Sequence, residues 1–66
     1  MKFGERLKEL RQDAHLSQMD LANATGISQS AIAKWERNKT EPTASALLIL
    51  ADFFHETVDY LLGRIE

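Results

Sequence analysis

Sixty-six residues without a cysteine allow one domain, residues 1–66, and exclude both a disulfide framework and a cysteine metal site. A net charge of −2, with 44% apolar and 27% charged residues, is ordinary for a folded soluble chain; the longest apolar run, residues 46–51, falls far short of the roughly 18 residues of a membrane span. The opening MKFGERLKEL carries charges throughout and no apolar signal core, so the expected location is cytoplasmic. So small a domain must rest on its own core or on a partner subunit.

Phe3, Leu7, Leu10 and Ala14 follow one apolar stripe and predict a helix over about 3–13, with Glu5, Arg6, Lys8 and Glu9 on the wet side. Asp13-Ala14-His15 ends it and Leu16 returns to the core. His15 reads as a cap or an exposed turn residue. The other histidine, His55, is far away in sequence, so no metal ligand set is expected. Ser17 is a candidate N-cap for a second helix, about 18–24. Asp20 stands three residues on, where its carboxylate reaches back to a free amide. Leu21 and Ala22 point inward. Gly26 permits a positive φ, Ile27 plugs the turn, and Ser28 opens a third helix, about 29–37. There Ala31, Ile32 and Trp35 share an apolar face, which makes Trp35 core rather than a stacking platform. Gln29, Ala33 and Arg37 recur at helical spacing on the other face, beside Ser30 and Lys34. An amide, a hydroxyl, an ammonium and a guanidinium are the groups that read base edges and grip phosphates.

Asn38 tolerates the left-handed conformation, and Pro42 disfavours helix at Glu41. Thr43 caps a fourth helix, about 44–54, with Ala44, Leu47, Leu50, Ala51 and Phe54 inward and Leu48, Ile49 and Phe53 partly outside. Thr57 caps a short fifth helix, about 58–62, with Val58 and Leu61 inward, Leu62 at the margin, and Gly63 ending it. The expectation is an all-α domain of five short helices. Charge is uneven, +2 up to Thr40 and −4 from Glu41 onward, as suits a ligand-facing side in the first two-thirds.

LSQMDLANATGISQSAIAKWERNKTEPT, followed by LLILADFF and VDYLLG, resembles the lambda-repressor-like, Cro/CI-type (XRE-type) helix-turn-helix family over nearly the whole chain. The resemblance implies a compact five-helix fold, a double-stranded DNA partner and no cofactor. It makes Ser28–Arg37 the recognition helix, with Gln29, Ser30 and Lys34 as base readers. Ser28 either joins them or remains a cap, and Ala33 touches a thymine methyl. Phosphate contacts fall to Gln18, Arg37, Asn38, Lys39 and Thr40. The family also pairs an arginine late in the first helix with a glutamate late in the third, here Arg11 and Glu36. The chain departs from many relatives at Asn38 and His55, where they carry glycine, and at Glu56, where they carry an apolar residue.

Leu48, Ile49, Phe53 and Ile65 read either as scattered exposed apolar residues or, clustered in so small a domain, as a homodimer interface. No glycine-rich phosphate loop and no histidine–carboxylate cluster is present, so neither catalysis nor a small-molecule substrate is expected. The expected function is a sequence-specific transcriptional regulator, a bacterial or phage repressor on an inverted-repeat operator. The rival is the same fold as a protein-interaction module, an antitoxin or adaptor.

Overall fold

The structure of this chain, a computed structural model, describes residues 2–65. Five helices follow in order: α1 (Phe3–Asp13), α2 (Gln18–Thr25), α3 (Gln29–Glu36), α4 (Ala44–Phe54) and α5 (Val58–Leu61). No strand occurs among the described residues, and each expected boundary holds to within one residue. The starts are set locally. The hydroxyl oxygens of Ser17, Ser28, Thr43 and Thr57 accept from the backbone N–H of Asp20, Ala31, Ala46 and Tyr60, respectively. Each satisfies one donor that a helix start leaves without an internal partner.

At α2 the box is reciprocal, because Ser17 N–H donates to Asp20 Oδ2 at 2.9 Å while Asp20 N–H donates to Ser17 Oγ at 3.0 Å. The bond from the Ser17 backbone holds the Asp20 carboxyl below its ordinary value of 3.8. A carboxyl depressed in the folded state stabilises above its unfolded pKa, and that contribution fades as pH falls through the folded value. The gap in melting temperature between the parent chain and Asp20→Asn is therefore expected to shrink on acidification from about pH 5 to 2. A gap constant across that range would refute the assignment.

Each helix sends one fully buried aliphatic side chain to a common centre: Leu7, Leu21, Ile32, Leu50 and Leu61. Each such burial is worth about 1.5–3 kcal/mol. Trp35, Ala22, Ala46 and Ala51 complete the core, and Phe3 meets Trp35 edge-on with ring centroids 6.1 Å apart. α1 packs on α3 and α5, α2 on α3 and α4, and α4 on α5.

Several inward and outward assignments change. Arg6 is not on the wet side. It is 3% exposed, with its guanidinium carbon 3.8 Å from the centre of the Tyr60 ring. α5 covers that flank of α1, and the aromatic face accepts the cation. Ala14 is exposed, so the α1 stripe stops at Leu10. On α4, Ala46 rather than Ala44 is buried. Phe53 packs against the core with Phe54, their rings 4.9 Å apart and nearly perpendicular.

The corners follow the sequence. Gly26 takes φ 77° and closes α2 through its N–H to Ala22 O at 2.9 Å. Asn38 and His55, standing where many relatives have glycine, adopt the same left-handed region at φ 57° and 56°. The α4–α5 corner therefore closes despite the departures, with Glu56 N–H donating to Ala51 O at 3.0 Å.

Candidate nucleic-acid interface

α2 and α3 meet through Gly26-Ile27-Ser28, a turn pinned from both sides. Thr25 Oγ1 donates to Leu21 O at 2.7 Å and accepts from Ile27 N–H at 3.3 Å, and Ile27 packs on the core. With Ile32 and Trp35 anchored inward, α3 turns Gln29, Ser30, Lys34 and Arg37 to the outside, with Ala33 half-buried among them. The structure thus brings the expected base readers to one exposed face. Ser28 sits at its edge with its hydroxyl oxygen occupied as a cap, accepting from Ala31 N–H at 3.1 Å.

A polar chain runs behind this face. Arg11 grips Glu36 bidentately, Nε to Oε2 at 2.7 Å and Nη2 to Oε1 at 2.9 Å, while its Nη1 donates to Leu16 O at 2.8 Å. The hydrogen bond to Glu36 raises the Arg11 pKa above its ordinary value, outweighing the cost of burial, and the Glu36 charge adds to it. Glu36 Oε1 also accepts from Gln18 Nε2 at 3.1 Å, and Gln18 Oε1 accepts from Gln29 Nε2 at 2.9 Å. The expected ion pair is therefore the root of a relay reaching the first residue of α3. Sequence spacing does not reveal the last two links, since Gln18 and Gln29 lie on different helices.

The relay leaves Gln29 with its Oε1 and one N–H. That is the donor–acceptor set a bidentate contact to an adenine edge requires. It also engages Gln18, which keeps one N–H and is the first residue of α2, a helix start whose amides favour an anion. Among the other expected phosphate ligands, Arg37, Lys39 and Thr40 are exposed. Asn38 is partly committed, its Oδ1 accepting from Gly4 N–H at 3.2 Å. That bond and Gly4 itself, buried against the end of α3, went unseen in the sequence. Of the apolar residues expected at a dimer interface, Leu48, Ile49 and Ile65 are exposed at 60%, 42% and 52%, whereas Phe53 is half-buried, partly outside as expected and packed against the core. Leu62 joins the exposed set at 36%. Among the described residues no helix is long and apolar enough to cross a membrane.

Comparison with known proteins matches residues 7–61 to the helix-turn-helix family model. The chain is 40% identical over 66 residues to the HTH-type transcriptional activator BcrR of Enterococcus faecalis, covering all of this chain and 32% of that protein. It is 39% identical over 60 residues to Repressor protein C2 of Salmonella phage P22, covering 91% of this chain and 28% of that protein. Among solved structures, the P22 c2 repressor in complex with synthetic operator 9T superposes with a TM-score of 0.87 at 37% identity, covering 94% of each chain. The chain spans about a third of the length of these two curated relatives. By sequence, helix order and the turn between α2 and α3, it belongs to the lambda-repressor-like, Cro/CI-type (XRE-type) helix-turn-helix family.

Proposed function

We propose that this chain is a sequence-specific reader of double-stranded DNA and acts as a transcriptional regulator, in its simplest form a repressor that occupies an operator and blocks polymerase. The observation that carries the reading is the relay from Arg11 through Glu36 and Gln18 to Gln29. It holds one carboxamide at the start of α3 with a free donor and a free acceptor, beside exposed Ser30 and Lys34. An orientation fixed before binding spares the entropy of ordering that side chain on DNA. The similarity to a phage repressor solved on a synthetic operator supports the same reading. Arg37, Lys39 and Thr40, with the free N–H groups of Gln18 and Asn38, supply phosphate contacts that fix register. No cofactor, catalytic step or small-molecule substrate enters this reading, and its target lies in the cytoplasm of a bacterial cell.

Two copies bind together in this reading, with their α3 helices about one turn of DNA, ~34 Å, apart on an inverted repeat. Exposed Leu48, Ile49 and Ile65 are the residues we assign to the contact between them. With Lys34 and Arg37 the only cations in the recognition segment 28–37, a second domain doubles an otherwise small set of phosphate contacts.

Selection from random duplexes at two salt concentrations tests the proposal, and enrichment of an inverted repeat is the expected result. Gln29→Ala and Lys34→Ala are each expected to cost about 1–3 kcal/mol on the enriched site and to relax one base position. A protein-binding module of the same fold, an antitoxin or adaptor, is favoured by the same apolar residues and by the −4 balance of the chain from Glu41. Weak binding without enrichment, lost at physiological salt, would select that second reading.

A further inference from the structure

We infer that the phosphate-binding surface extends past the loop after α3 to Lys2, so that the DNA backbone runs along the open cleft between the start of α1 and residues 38–41. This rests on the DNA-reading function proposed above. The cleft has a volume of about 430 Å³ and is lined by Lys2, Phe3, Asn38, Thr40, Glu41 and Leu62. Asn38 and Thr40 flank Lys39, so the cleft opens directly from the loop assigned to phosphate. Lys2 brings a second ammonium to it from the opposite end of the sequence.

The approach of the two walls is rigid. Gly4 N–H donates to Asn38 Oδ1 at 3.2 Å, and the Gly4 Cα lies so close to the Trp35 carbonyl that a side chain has no room. Lys2, two residues earlier, is therefore held beside the loop rather than swinging free of it. Lys2 is exposed, and among the described residues neither it nor Glu41 takes part in an ion pair. The ammonium is thus available to a phosphate. The Glu41 carboxylate lines the same cleft and repels a phosphate drawn to it. Those two charges predict opposite signs for the two charge-removing substitutions. Base preference should respond to neither, because backbone contacts position the protein without reading sequence.

The test is a salt titration from about 50 to 200 mM on an enriched duplex and a scrambled one, using the whole chain. Lys2→Gln, Lys39→Ala and Glu41→Gln are compared with the parent. Lys2→Gln is expected to weaken both duplexes alike, about five- to tenfold near 0.1 M salt, and to lower the salt slope by about 0.9. Glu41→Gln should tighten both. Melting curves of each variant check that the fold is kept, and Lys2, being exposed, has no buried contact to lose. If Lys2→Gln matches the parent in affinity and slope while Lys39→Ala weakens binding, the extension to Lys2 is wrong and the DNA reading survives. If the parent chain binds neither duplex at the lowest salt, the DNA reading falls and this inference falls with it.

Discussion

Glu36→Ala is expected to destabilise the domain by about 3–5 kcal/mol, the range for removing one partner of a buried ion pair. The side chains of Arg11 and Glu36 are only 10% and 4% exposed. Without Glu36, the Arg11 guanidinium keeps its bond to Leu16 O but stays largely out of water with no counter-charge. Much of a small domain's total stability, about 5–15 kcal/mol, would go with it. Urea unfolding should therefore show a large fall in midpoint with little change in slope. The control is the double variant Arg11→Met, Glu36→Leu, which replaces the pair by apolar groups and is expected to recover most of the loss. A cost below about 1 kcal/mol for the single variant would mean that the pair behaves as a surface bridge. The same substitution frees Gln18, and through it Gln29, so discrimination at the Gln29 base should fall even where the domain remains folded.

Gly4→Ala is the second large effect, and its sign is the informative part. Alanine is favoured over glycine in a helix interior by about 1 kcal/mol, so on α1 alone the change would stabilise. In the folded chain the new Cβ would overlap the carbonyl oxygen of Trp35 and lie 2.7 Å from Asn38 Oδ1. The first obstacle is backbone and cannot swing aside. Overpacking of this kind costs about 1–3 kcal/mol and at times more, which outweighs the helix gain. The start of α1 must lift from the end of α3, breaking the Gly4–Asn38 hydrogen bond. A fall in melting temperature of about 5–10 °C is expected for a domain of this size. A rise would mean that the two helix ends are not in contact.

Arg6 and Gly4 also mark where reading the sequence stops. Helix starts are legible because a hydroxyl three residues before an amide is a local device, and Ser17, Ser28, Thr43 and Thr57 all use it. The exposed face of α3 is legible because Ile32 and Trp35 fix its phase. The pairing of Arg11 with Glu36, on separate helices, came from family resemblance rather than spacing. Arg6 looks solvated when α1 is considered alone, and only the arrival of α5 with Tyr60 buries it. Gly4 reads as a neutral helix residue until the end of α3 is laid against it. α4 is apolar nearly all round from Ala46 to Phe54, so periodicity cannot separate Ala44 from Ala46. The misses at Arg6 and Gly4 depend on neighbours distant in sequence, whereas the helix starts and the phase of α3 depend on residues within about two turns. The Gln18–Gln29 link combines both limits, because each end is correctly placed and the bond between them is tertiary.

His15, Asn38 and His55 all hold positive φ, at 60°, 57° and 56°. An L-residue with a side chain adopts this conformation at a cost of about 1–2 kcal/mol, less for asparagine. The two histidines thus set aside a reserve of stability that the fold does not use. Each kilocalorie so withheld raises the unfolded fraction at equilibrium about fivefold. In a cell that fraction is what proteases encounter, so these two bends, neither of them on α3, bear on how long each copy of the chain survives.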